Sequence, residues 1–225
     1  MKHLLRPALL FVAALATIGA SPPQDWNRVV TRTAQQSTIL GNPGAKVKLT
    51  TWVSYTCPHC AEFEREAEAG LKLKYIRSGK VSVEVRHLIR DPIDLTVAML
   101  TNCGPKDRFP LNHSAFMRGQ ANWIGTLARS SKAQQTRWST GNLPIRARAI
   151  ASDFKFYDIM ARRGYDRVTV DRCLADVGMA QRLAAGTEAA AKLGIDHTPS
   201  FALDGALLYG TSGWDLLQPQ IEARM

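Results

Sequence analysis

The stretch Val47-Lys48-Leu49-Thr50-Thr51-Trp52-Val53-Ser54-Tyr55-Thr56-Cys57-Pro58-His59-Cys60 decides how this chain reads. Val47 to Tyr55 is short, β-branched and apolar, the pattern of a buried strand. From Ala61 to Arg77 the period changes. Phe63, Ala67, Leu71 and Tyr75 recur every four residues, and Gly79 stops the run. Pro58 suits the first turn of that helix, where its missing N–H costs nothing. Cys57 therefore stands at a helix N-terminus, whose free N–H groups and positive dipole end stabilise a thiolate. Cys60 lies one turn further in, within reach of a mixed disulfide on Cys57. The pair is read as a redox pair, with Cys57 the nucleophile and Cys60 a buried resolving thiol. The bland alternatives are a structural disulfide or a metal clip. A four-thiolate zinc site needs a second close pair, whereas Cys103 and Cys173 are separate singles.

Working outward, Val81 to Leu88 alternates as a second strand, so strand, helix and strand form a βαβ unit. Upstream, Trp26 to Thr33 reads as a first strand, and Gly41-Asn42-Pro43-Gly44 as a turn. From Asp91 to about Arg182, apolar residues recur at helical spacing, broken by Gly104-Pro105, Pro110, Gly141-Asn142 and Gly164; four to six short helices are expected. Leu183 to Leu193 is an Ala-rich helix. Ser200 to Leu203 and Ala206 to Tyr209 flank the hairpin signal Asp204-Gly205. Trp214 to Arg224 closes the chain as a helix.

The N-terminus reads as a secretory signal over residues 1–20. Lys2 and Arg6 precede the apolar run Ala8 to Ile18, and Gly19-Ala20-Ser21 offers small residues for cleavage. An uncleaved anchor is the alternative. The remaining residues, about 205, can bury a proper core. The net charge of +10 falls to +8 without Lys2 and Arg6. Its basic residues, among them Arg118, Arg129, Arg137 and Arg148, are scattered, which reads as a solvated surface and argues against a nucleic-acid partner. Four cysteines in an exported chain favour a Cys103–Cys173 disulfide over two buried free thiols. His87 and His113 read as structural or surface residues. Trp52 reads as core, and Tyr55 as lining a groove beside Cys57.

With these features in place, the chain resembles the DsbA-type branch of the thioredoxin superfamily. Cys57-Pro58-His59-Cys60 at a strand-to-helix junction carries the likeness. So do His197-Thr198-Pro199-Ser200-Phe201 before the final hairpin, the helical insertion, and Cys173-Leu174-Ala175-Asp176 upstream. The likeness covers about residues 40–222. It implies an α/β thioredoxin-like fold, a central mixed sheet flanked by helices, with an inserted all-helical subdomain. The divisions are an N-terminal extension with the first strand (21–44), the core's first half (45–90), the helical insertion (91–182) and its second half (183–225).

The resemblance further implies a cis Thr198–Pro199 bond packed across from Cys57. A proline there cannot donate to a ladder, which leaves the Thr198 backbone free to pair with a substrate peptide. Pro58 and His59 are expected to tune Cys57. The implied activity is a periplasmic, monomeric disulfide donor to unfolded or partly folded secreted proteins with free thiols. A membrane partner would reoxidise it, and no cofactor or metal is implied. Two departures pull the other way. The family's oxidants often carry an acidic residue where Thr51 stands, and commonly Val where Thr198 stands. An isomerase or reductase resembling DsbC, DsbG or the copper-tolerance thioredoxins therefore stays open. A metal carrier using the reduced Cys57/Cys60 pair is a third reading, from another class.

Overall fold

The computed structural model describes residues 24–225. The expected signal segment and its cleavage site lie outside the described residues. Six strands form one mixed sheet: β1 (Val30–Arg32), β2 (Thr38–Gly41), β3 (Val47–Val53), β4 (Val81–His87), β5 (Ser200–Leu203) and β6 (Ala206–Leu207). Their spatial order is β1-β2-β4-β3-β5-β6. β3 and β4 run parallel, with Leu49 opposite Val83, and every other pair is antiparallel. The parallel pair is joined by a crossover, as a parallel connection requires: α1 (Pro58–Gly70) and its π-helical continuation Leu71–Ile76.

Strand alternation sorts the core into two faces. Val47, Leu49 and Val53 meet Val83, Val85, Phe201 and Leu203 on the face that α1 covers. There Phe63 packs on Phe201 at 4.8 Å between ring centroids. Trp52 and Ala202 point the other way, against Ala190 of α10 (Val177–Lys192). Between β4 and α10 stand α2 (Pro92–Thr101), α3 (Phe109–Arg118), α4 (Gln120–Trp123), α5 (Gly125–Ala128), α6 (Lys132–Ser139), α7 (Leu143–Asp153), α8 (Phe156–Arg162) and α9 (Arg167–Leu174). The closing helix is α11 (Trp214–Glu222), packed against α1. The mixed sheet with its helical insertion is the thioredoxin-like architecture the resemblance implies.

Several details differ from the sequence reading. The segment expected as one strand over Trp26 to Thr33 divides into a 3-10 turn, Trp26–Arg28, and the three-residue β1. β2 was not anticipated; four residues are too few to display a period. The eight helices between β4 and α10 outnumber the four to six expected, because α4 and α5 are single turns. α10 begins at Val177, six residues before the expected start, where Asp176 accepts the Met179 N–H as an N-cap. Asp204 and Gly205 both take positive φ, 53° and 85°, in the β5–β6 hairpin. Arg118 and Arg148 pair with Glu68 and Asp171, and Arg137 with Asp153. Among the described residues no helix is long and apolar enough to cross a membrane.

Candidate active site

Cys57 is the N-cap of α1 in extended conformation, with Pro58 in the first turn. That geometry places its sulfur at the positive end of the helix dipole. Cys57 and Cys60 are both free thiols, 3% and 1% exposed. The Cys60 thiol and the backbone N–H groups of Cys60 and His59 are the donors that favour the Cys57 thiolate. Against the cost of burial, these donors pull Cys57 down to about 5. Burial, and then the neighbouring Cys57 charge, push Cys60 far up. One thiol is ionised near neutral pH and the other keeps its proton.

The cis Thr198–Pro199 segment faces this pair. The Thr198 carbonyl lies 3.2 Å from Cys57 Sγ. The buried Thr198 hydroxyl has no hydrogen-bond partner, and Thr198 adds to the lowering of Cys57. β5 starts directly after, and Ser200 pairs with Trp52 of β3, which fixes the segment opposite the βα loop. A groove of about 620 Å³ runs past His59, Glu62, Thr198, Pro199, Trp214 and Asp215. The His59 imidazole is turned away from the sulfurs: its Nδ1 lies 3.5 Å from Glu62 Oε2, and its side chain is 77% exposed.

The helical insertion holds the loop between β3 and α1. Asp94 accepts from Ser54 Oγ at 2.6 Å, from the Tyr55 N–H at 2.7 Å and from the Arg90 N–H at 3.0 Å. Burial pushes the Asp94 carboxyl up to about 7 despite those donors. Asp91 accepts from Thr56 Oγ1 at 2.7 Å. Gln120 Nε2 donates to the Tyr55 and Cys57 carbonyls at 2.6 and 2.9 Å. Sequence reasoning found none of these holding residues. Asp91-Pro92 is legible as a helix cap, but not that the first turn of α2 reaches back to the loop. Tyr55 is fully buried, and its hydroxyl meets Thr101 and His113 instead of lining the groove. The chain turns after Val53, which swings Tyr55 inward. Cys103 and Cys173 form a disulfide, Cα–Cα 5.5 Å, between the end of α2 and α9, apart from the Cys57/Cys60 site.

The sequence model of the family described as Thioredoxin matches residues 33–223. The chain belongs to the thioredoxin family. Within it, a solved protein-disulfide isomerase from Novosphingobium aromaticivorans is similar at 54% identity, over 84% of this chain and 96% of that one, with a TM-score of 0.81. Wolbachia pipientis alpha-DsbA1 shares the fold at 20% identity, over 85% of this chain and 92% of that one, with a TM-score of 0.67. A Rickettsia bellii protein named for protein-disulfide oxidoreductase activity is 27% identical over 201 residues, 88% of this chain and 69% of its own length. A Rickettsia typhi relative of the same name matches 47% of this chain and 38% of its own length, at 33% identity. This thioredoxin-family chain is a thiol–disulfide oxidoreductase.

Proposed function

We propose that this protein is exported to the periplasm and donates its Cys57–Cys60 disulfide to unfolded or partly folded secreted proteins with free thiols. The unequal ionisation of Cys57 and Cys60 carries this reading. A substrate thiolate attacks the Cys57 sulfur, and Cys60 leaves as a thiol once it takes up a proton. The second substrate thiolate then attacks the substrate sulfur of the mixed disulfide and releases Cys57 as a stabilised thiolate. The substrate has lost two electrons and two protons. The Cys57/Cys60 pair has gained the electrons and one proton, and the other proton goes to solvent. A leaving group with so low a pKa departs readily and favours the reduced form.

Thr198 and Pro199 flank the groove where the substrate chain would lie, with Pro58 and His59 tuning Cys57. A membrane redox partner reoxidises the pair. Residues 21–44 hold no heptad that would build a dimerisation module, in keeping with a monomer. The Cys103–Cys173 bond has a structural role in the helical insertion. The thioredoxin core comprises 45–90 and 183–225, with 91–182 as the inserted subdomain.

A second reading is supported by the name of the Novosphingobium neighbour, a protein-disulfide isomerase, and by Thr198 before the proline. Equilibration with glutathione separates the two. A strong oxidant of the DsbA type has a potential of about −120 mV, and thioredoxin one of about −270 mV. A value toward the first, with rapid oxidation of a reduced unfolded substrate, supports the donor. A value toward the second, with repair of scrambled disulfides and little net oxidation, supports the isomerase or reductase.

A further inference from the structure

The groove beside Cys57 combines an apolar floor with an acidic rim. Thr198 lines it, and the Thr198 carbonyl lies 3.2 Å from Cys57 Sγ, so the groove runs up to the reacting sulfur. The buried rings of Phe63 and Trp214 meet at 6.4 Å between centroids and form its floor, with the exposed Leu216 beside them. His59, Glu62 and Glu66 share one face of α1 with Phe63, three and four residues apart, and that face is turned to the groove. On the opposite wall Asp215 stands in the first turn of α11. Glu62, Glu66 and Asp215 are all exposed.

Among the described residues, the lining carries these three carboxylates and no lysine or arginine; Arg65, between the two glutamates in sequence, falls outside it. Its two imidazoles are each turned to a carboxylate, His59 Nδ1 to Glu62 at 3.5 Å and His197 Nδ1 to Asp196 at 2.9 Å. Glu66 and Asp215 make no ion pair among the described residues. The chain as a whole has a net charge of +10, so the groove is opposite in sign to the protein that carries it. Tuning of Cys57 does not account for this, because a carboxylate near a sulfur disfavours the thiolate. A cation brought by the substrate would satisfy the rim.

We propose that Glu62, Glu66 and Asp215 select substrate thiols flanked by lysine or arginine and turn away thiols flanked by acidic residues. This rests on the reading of the groove as the place where the substrate chain lies. The covalent steps are unchanged: the substrate thiolate still attacks the Cys57 sulfur. The rim acts on how often a chain arrives and how long it stays, the usual work of charges at the edge of a binding surface. Each solvent-facing pair is worth about 1.5- to 5-fold, so three together give about tenfold or more at low salt. Salt should abolish the preference, since its screening length falls to about 3 Å at 1 M.

The test follows oxidation of two-cysteine peptides by the full oxidised protein at one fixed pH. Twin peptides differ only in carrying lysine or glutamate beside the cysteines. The ratio of their second-order rates, lysine over glutamate, is compared between the wild type and Glu62→Gln/Glu66→Gln/Asp215→Asn. The peptides' own thiol reactivity is common to both proteins, and any change at Cys57 is common to both peptides, so both cancel. At about 20 mM salt the wild-type ratio is expected to exceed that of the variant about tenfold, and at about 1 M salt the two should meet. The positive charge of the whole chain would by itself favour the glutamate twin, so a wild-type preference for lysine is the groove's own. Glu66→Gln alone, which removes no ion pair, should carry part of the shift. Glu188→Gln, exposed on α10 behind the sheet, should leave the ratio in place. Equal ratios in the wild type and the triple variant at low salt, with both twins oxidised, overturn the selection and leave the groove reading standing. A shift with Glu188→Gln as large per charge removed also overturns it. If neither twin is oxidised while dithiothreitol is, the groove reading itself fails and the proposal with it.

Discussion

Replacing His59 separates two sources of thiolate stabilisation that the motif runs together. The imidazole is exposed and turned to Glu62, whereas the His59 backbone N–H belongs to the helix N-terminus that favours the Cys57 thiolate. His59→Ala removes only the first; His59→Pro removes both. With Cys57 at about 5, thiolate outnumbers thiol about 100-fold at about pH 7, where an ordinary cysteine at 9.0 would be about 100-fold the other way. Relative to equal populations, that excess alone favours the reduced form by about 2.7 kcal/mol, or about 58 mV, before screening by groove water. A hydrogen bond to a charged group contributes about 1.5–3 kcal/mol, and the low end is appropriate beside solvent. Loss of the His59 N–H should thus move Cys57 from about 5 to about 6 and cut the thiolate excess about tenfold. His59→Pro is expected to be about 30 mV less oxidising. His59→Ala should shift by less than about 10 mV, the scale of an exposed charge. Thiolate absorbance against pH gives the pKa, and equilibration with glutathione gives the potential. If His59→Ala shifts both as far as His59→Pro does, the imidazole is the source and the helix-terminus argument fails.

The remaining predictions concern stability. Asp94 sits at about 7 in the fold against an ordinary 3.8, so its protonated form is the one the fold favours. That contribution, about 4 kcal/mol, is whole below about pH 4 and is lost as pH rises through about 7. Denaturant unfolding of the oxidised protein, in which Cys57 and Cys60 do not titrate, should show this decline, and Asp94→Asn should flatten it; an unchanged slope in the variant rules the assignment out. In the reduced protein Cys57 acts oppositely: its contribution is whole above about pH 9 and is lost as pH falls through about 5. The reduced-minus-oxidised stability difference should therefore grow with pH between those limits. The Cys103–Cys173 bond closes a 70-residue separation. Its removal by Cys103→Ala/Cys173→Ala should cost about 4 kcal/mol in the chain-entropy account, with the Cys57 pKa unmoved. A coupled shift in that pKa would show that the bond also shapes the site.

What was legible in the chain is what local physics determines. A β-branched run ending in Cys57-Pro58 specifies a strand, a turn and a helix start within fourteen residues, and with them a thiolate at a helix terminus. Asp204-Gly205 specifies a hairpin for the same reason, since its two positive φ angles suit those residue types. The holding contacts were not legible, because their partners lie far along the chain. Asp94 is 40 residues from Ser54, and Gln120 is 65 from Tyr55. In the sequence each belongs to a helical pattern whose orientation no period encodes. Tyr55 and His113 make the point most sharply. One was assigned to the groove and the other to structure or surface, yet the two meet at 2.8 Å in the core. Glu64 is one of four alternating glutamates on α1, Glu62, Glu64, Glu66 and Glu68, and the spacing singles out none of them. What distinguishes it from Glu68 is packing alone: Lys72 and Arg118 neutralise one, while the other is left against an imidazole beneath Cys60.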